Sequence, residues 1–184
     1  MTIEQIKENL KGLLTNESWR LLYLMSETSN FDINPENQGC YNLITNTVKS
    51  NLKIDCFLHE FGHHIDNILK NKNKQFSHNL NLYLMDDKKI IEDFIGEELI
   101  YNIIINKQMN YSTKAMFSNI FNSLRGKGIE GHSLGYLNRK PYQREEECFA
   151  HLFVLWSYDL KSYDLIKFYF RNTTTKFENI LKQL

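Results

Sequence analysis

The chain is poor in residues that interrupt helices. Only two prolines and eight glycines occur in 184 residues. No low-complexity linker or internal repeat divides the chain, so residues 1–184 are expected to form a single domain. Cysteine is scarce as well. Cys40, Cys56 and Cys148 make an odd count without metal-type spacing, which argues against a disulfide framework and for a reducing compartment. Neither charge is in excess, since 22 Lys and Arg balance 22 Asp and Glu. Without a basic surplus or a polybasic block, neither nucleic acid nor a membrane surface is an expected partner. The longest apolar stretches, such as Leu99 to Ile105, are too short to span a bilayer. The opening Met1-Thr2-Ile3-Glu4-Gln5 lacks the positive patch and apolar run of a signal peptide, so a cytoplasmic protein is expected.

Against that plain background one stretch stands out, Leu58-His59-Glu60-Phe61-Gly62-His63-His64-Ile65-Asp66. It contains H-E-x-x-H inside an amphipathic run from about Leu52 to Leu69, with apolar positions at helical spacing. On a helix a four-residue step advances the direction by about 40°, so His59 and His63 point the same way from successive turns. That arrangement lets one helix offer two imidazole nitrogens to a tetrahedral Zn²⁺. Glu60 lies about 100° from His59, where it can hold a water rather than the metal. Asp66, three residues beyond His63, is placed to accept a hydrogen bond from a ligand imidazole. Cys56 precedes His59 on the same face and reads more readily as a small buried residue than as a thiol near the metal.

Around this helix the pattern is mainly helical. Thr2 to Leu14 and Glu17 to Ser29, the latter capped by Asn16, read as an N-terminal hairpin within residues 1–30. Asn30 to Gly39 is turn-rich, and Cys40 to Val48 carries β-formers for one or two short strands. An edge strand there could bind an extended peptide by main-chain hydrogen bonds. Leu80 to Leu84 alternates weakly, as a short strand does. A long helix capped by Asp86 or Asp87 is then expected to reach Asn106, burying Ile90, Ile91, Phe94, Ile95, Leu99 and Ile103. Another helix covers Thr113 to Leu124, and a glycine-rich loop with His132 covers Arg125 to Gly135. Helices from Gln143 to about Tyr158 and from Tyr163 to Leu184 close the chain.

A catalytic zinc site needs a third protein ligand and an open position. Glu147 is the leading candidate because Cys148, Phe149, Leu152 and Phe153 give it core-like flanks, where a carboxylate is costly unless paired or metal-bound. Glu145 and Glu146 read as neighbouring surface charges, one of which could support the ligands.

The stretch His59 to Asp66, H-E-F-G-H-x-x-D, resembles the anthrax lethal-factor-type gluzincin metallopeptidases and their relatives associated with phage minor-head proteins. In that group a later helix carries E-x-F-A-x-x-F and supplies the third zinc ligand, a pattern present here from Glu147 to Phe153. The phage-associated members also carry a segment like S-D-I-x-x-A-L ahead of G-H-S-x-x-Y; the corresponding stretches here are Ser118 to Leu124, with Asn119 and Ser123 in place of Asp and Ala, and Gly131 to Tyr136. The resemblance runs from about Gly39 to Phe153.

It implies an α+β, mainly helical, zincin-like fold, with a small sheet beside the H-E-x-x-H helix and a catalytic core at residues 39–160. It also implies a zinc-dependent endopeptidase acting on a protein or peptide substrate, with Zn²⁺ on His59, His63 and Glu147 and with Glu60 as general base. Members carry a tyrosine, often seven residues before the ligand glutamate, that stabilises the transition state. Lys140 stands at that place here, and Tyr136 and Tyr142 flank it. The motif favours Tyr136 and proximity to the helix favours Tyr142, while His132 could assist. The same resemblance widens the expected location to a phage particle, with non-classical secretion as an alternative. Two other functions compete: a non-hydrolytic zinc-bearing phage structural protein, and a cytosolic peptidase that cleaves repressors.

Overall fold

The computed structural model describes residues 2–51, 53–106, 108–121 and 132–184, except for the side chains of Glu97 and Leu134. The chain begins with helices α1 (Ile3–Leu10) and α2 (Asn16–Met25), followed by strands β1 (Asn30–Ile33), β2 (Cys40–Asn42) and β3 (Thr47–Ser50). The long helix α3 (Ile54–Asn71) comes next, then α4 (Asn81–Phe94), α5 (Glu97–Ile105), α6 (Tyr111–Ile120) and the short α7 (Leu134–Leu137). Helices α8 (Gln143–Tyr158), α9 (Leu160–Tyr169) and α10 (Arg171–Leu181) complete it. The class is α+β and mainly helical, with one small sheet. Among the described residues no helix is long and apolar enough to cross a membrane.

Helix α3 is the spine. Phe57, Leu58, Phe61, Ile65, Ile68 and Leu69 are all buried, each side chain of this kind contributing about 1.5–3 kcal/mol when fully withdrawn from water. On one side Phe31 of β1 packs against Phe57 and Phe61, with ring centroids 6.2 and 6.4 Å away. On the other, α8 crosses so closely that Gly62 cannot carry a side chain without strain. A Cβ there would lie 3.0 Å from Cα of Ala150 and 3.2 Å from Cβ of Phe153. The crossing lies one helical turn from both His59 and Glu147, so it sets how near those groups come.

The sheet has the order β1-β3-β2, with β1 parallel and β2 antiparallel to β3. Strand β1 lies in the stretch expected to be turn-rich, where no strand is predicted. Its signal was brief but present: Phe31 and Ile33 alternate with Asn30 and Asp32, and the apolar pair faces α3 while Asp32 reaches Lys49 at 3.8 Å. Leu80 to Leu84 is not a strand, since a 3-10 turn (Ser77–Leu80) leads directly into α4. The expected long helix breaks into α4 and α5 at Gly96, whose φ of 79° a non-glycine residue rarely adopts. Ile91 and Ile103 are buried as expected, together with Leu84, Asp87, Ile100 and Ile104, whereas Ile90, Phe94 and Leu99 are exposed and Ile95 is half-buried.

Asp87 does not cap its own helix. It accepts hydrogen bonds from the Asn172 and Thr173 amides and the Thr173 hydroxyl, which caps α10 from across the core. Thr15, not Asn16, caps α2, accepting from the Ser18 amide. The C-terminal region is two helices divided at Phe170, and Phe168 is exposed. Leu52 and residues 122–131, which include Leu124 and Gly126 to Gly131 of the expected loop, lie outside the described residues.

His64, next to the motif, joins α3 to the sheet side. Its Nε2 lies 2.9 Å from the Thr28 hydroxyl and its Nδ1 3.3 Å from the Tyr41 hydroxyl. Burial holds this imidazole neutral, lowering its pKa to about 4. A pKa depressed on folding contributes stability above the unfolded value of 6.5, and that contribution is lost as pH falls toward 4. The acid limb of the stability curve should therefore include about 3 kcal/mol from His64. In urea titrations between pH 7 and 4, His64→Gln should flatten that limb, and an unchanged slope would remove His64 as its source. Gly62→Val should cost about 1–3 kcal/mol by overpacking. A variant as stable as the wild type would mean that α3 and α8 can part without penalty.

Candidate metal centre

The groups brought together come from three places: α3, α8 and the segment His132–Leu137. On α3, His59 and His63 project from successive turns into a cavity of about 260 Å³. Facing them, Glu147 emerges from the first turns of α8 with 1 % of its surface exposed. Its Oε1 accepts from the Tyr136 hydroxyl at 2.8 Å and from Nε2 of Gln143 at 3.1 Å. Its Oε2 has no aligned hydrogen bond, although three imidazole Nε2 atoms surround it. They belong to His132, His59 and His63, at 2.8, 3.3 and 3.7 Å. A buried carboxylate oxygen ringed by imidazoles but aligned with none is the donor arrangement a cation completes.

His59, His132, Glu147 and His151 each bring a potential ligand atom to within 4.8 Å of the others, a group that could hold a metal ion. Imidazole nitrogens with one carboxylate oxygen suit a borderline-soft divalent ion better than Mg²⁺ or Ca²⁺, which take oxygen ligands. His151 was not singled out from the sequence. Its signal was its register, four residues beyond Glu147 on the face that also carries Gln143.

The electrostatics are those of a compact, partly dry cluster. Burial alone would raise the Glu147 pKa, but the charge of His63 and contacts from His132 and His59 outweigh it and hold the carboxylate far below its usual range. Burial lowers and Glu147 raises the pKa of His63, with a net rise to about 9. Glu60 is pushed upward by burial, against the opposing pull of His59 and His63. Burial and then Glu147 keep the Tyr136 phenol protonated well beyond its ordinary range.

The cavity is lined by Gly39, Cys40 and Tyr41 on the sheet side and by Glu60, Asn67, Tyr136 and Gln143 on the helical side. The Tyr41 backbone amide donates to Glu60. Gly39, at a φ of 73°, makes room there, since a Cβ would stand 3.1 Å from Oε1 of Glu60 and 2.6 Å from Sγ of Cys56. Cys56 is half-buried beneath this rim.

The two candidate tyrosines separate clearly. Tyr136 reaches Glu147 and stacks on His132 with centroids 4.2 Å apart. Tyr142 is half-exposed, adopts a left-handed φ of 64°, and stacks on His78 at 4.3 Å rather than entering the cavity.

Two expectations need correction. Asp66 does not hold a ligand imidazole, because its two carboxylate oxygens are taken by the Ser77 amide at 2.6 Å and the Ser77 hydroxyl at 2.7 Å. It ties the middle of α3 to the turn that starts α4. Glu145 is not a surface charge but is buried. Glu146 is half-buried at the cavity wall, paired with Lys140 at 2.6 Å and near His78 at 3.3 Å.

Comparison with protein-family models, curated proteins and solved structures finds no match. Titration of the metal-free chain with Zn²⁺ or Co²⁺ should give one tight site. Glu147→Ala should weaken it by more than about 100-fold, beyond what loss of an outer partner costs. Undiminished binding by that variant would put the ion elsewhere.

Proposed function

We propose that the chain is a zinc-dependent endopeptidase of the gluzincin type, with His59, His63 and Glu147 as the metal ligands. One observation carries the reading: two imidazoles from successive turns of α3 converge on a single buried oxygen of Glu147, at 3.3 and 3.7 Å, at the wall of an open cavity. Two histidines and a glutamate are a zinc set that leaves one position free for chemistry. When bound, the ion supplies Lewis acidity, bringing a water's pKa toward about 7 and polarising a carbonyl.

The chain's own groups supply the rest. Glu60 faces the same cavity with its carboxylate anchored by the Tyr41 amide. Its raised pKa suits a base that takes a proton from water during attack and returns it to the leaving amine. The Tyr136 phenol remains protonated and can donate to the carbonyl oxygen as negative charge develops there. Its neighbour His132 closes that side of the cavity. Strand β2 is an edge strand, and its Cys40 and Tyr41 line the cavity. An extended peptide adding beside β2 would present its backbone to these groups. Tyr142 has no part in this scheme, because its ring lies on His78 outside the cavity. A purely structural zinc site has no use for a buried carboxylate at position 60, which favours hydrolysis over a non-hydrolytic phage component.

The test is cleavage of an unfolded protein substrate by the zinc-loaded chain. Glu60→Gln should abolish turnover while keeping its metal. Tyr136→Phe should lower kcat by about 10²–10³, the cost of one oxyanion donor, and Tyr142→Phe should leave it unchanged. Full activity in Glu60→Gln, or equal effects from the two tyrosine changes, would remove this assignment of roles.

A further inference from the structure

Gln143, Glu147 and His151 form a stripe along α8 at four-residue spacing. Gln143 steadies Oε1 of Glu147, and the third member of the stripe has no role in the scheme above. His151 is 2 % exposed. Its Nδ1 lies 3.3 Å from the hydroxyl of Ser112 on α6, which is equally buried. Its Nε2 is buried and has no hydrogen-bond partner among the described residues. Leaving such an atom unpaired costs about 1–3 kcal/mol, a penalty that a phenylalanine in the same aromatic surroundings would avoid. The ring sits against His59, with centroids 4.5 Å apart and planes at 47°.

His59 presents the complementary need. With Nε2 turned toward Glu147 and giving its lone pair to a metal, its Nδ1 must carry the proton and find an acceptor. No acceptor for that proton is found among the described residues. Asp66, the carboxylate whose position on α3 suggested it, turns both oxygens to Ser77 instead. A catalytic zinc with three protein ligands and an open position has no place for a fourth nitrogen, so His151 would act through His59.

We propose that His151 is the positioning residue for His59. Its Nδ1–H donates to Ser112, which fixes the tautomer whose Nε2 lone pair accepts the His59 Nδ1–H. The first metal histidine is then held by an imidazole relay anchored on α6. This role rests on the metal reading above, and the experiment separates the two.

Zn²⁺ affinity would be measured by competition with a chromophoric chelator for the wild type and for His151→Phe, His151→Asn and His151→Gln. Co²⁺ absorption spectra and thermal unfolding would be recorded beside it. Glutamine can place an acceptor near the Nε2 position, while asparagine reaches only the Nδ1 position and phenylalanine offers none. His151→Phe and His151→Asn should bind about 10–100-fold more weakly and His151→Gln should recover most of the affinity, the range set by lost outer partners of metal ligands. All should keep the wild-type Co²⁺ band pattern.

Equal affinity in all four proteins, with the wild type binding metal, overturns the positioning role alone. A Co²⁺ spectrum showing one ligand fewer in His151→Phe also overturns it, because His151 would then be a ligand. If the wild type binds no metal, both readings fall together. Should His151→Phe fail to fold, the asparagine and glutamine variants carry the comparison, because only the acceptor's position differs between them.

Discussion

The close crossing of α3 and α8 is the constraint on which the rest depends. At Gly62 the two helices meet with no room for a methyl group beside Ala150 and Phe153. The closeness is maintained by burial on both sides, since Phe61 and Ile65 on α3 and Phe149 and Phe153 on α8 are essentially inaccessible to water. His59 lies one turn before Gly62 and His63 directly after it, while Glu147 lies one turn before Ala150 on the facing helix. A glutamate side chain is short, so helices crossing with larger residues between them would hold those groups apart. The small pair Gly62 and Ala150 is thus part of the metal centre without touching a metal.

A carboxylate as buried as Glu147 must be compensated by its surroundings. One oxygen is satisfied by a phenol and an amide, from Tyr136 and Gln143. The other is approached by three imidazoles, none aligned for a hydrogen bond. This division explains why the segment His132–Leu137 packs where it does, as His132 and Tyr136 address opposite oxygens of one carboxylate. It also distinguishes Glu147 from the buried aspartates. Asp66 and Asp87 each spend their oxygens on backbone amides and hydroxyls at the start of another element, and those contacts organise the fold rather than the cavity.

Legibility in the sequence followed how local the determining physics is. Helix α3 could be read because two histidines, a glutamate and a row of apolar residues share one period. Glu147 could be read because an acid amid Phe149, Leu152 and Phe153 demands a partner. The extent of α8 was equally plain, because the apolar run from Cys148 to Trp156 is interrupted only by His151. Strand β1 was hidden by its four-residue length and by Asn and Asp within it, and only pairing with β3 makes it a strand. Gly96 was read through as helix because one glycine in an apolar pattern is tolerable until its φ is known. The distant roles of Asp66 and Asp87 had no local signature, since Ser77 and Thr173 are chain neighbours of neither.

The histidines show the same limit from the side of chemistry. His59, His63, His64, His132 and His151 all lie near the motif helix, yet each environment assigns a different task. His64, turned toward Thr28 and Tyr41, is a neutral link in the fold. His59 and His63 face a buried anion at the wall of an open cavity, which makes them candidates for ligation. His132 reaches the same anion from outside the two helices. His151 is buried against His59, with one nitrogen facing Ser112 and the other unpaired among the described residues. What separates these five imidazoles is the partner that each ring nitrogen meets. A single sequence does not encode that locally, because the partners lie on α6, on β2 and on α8.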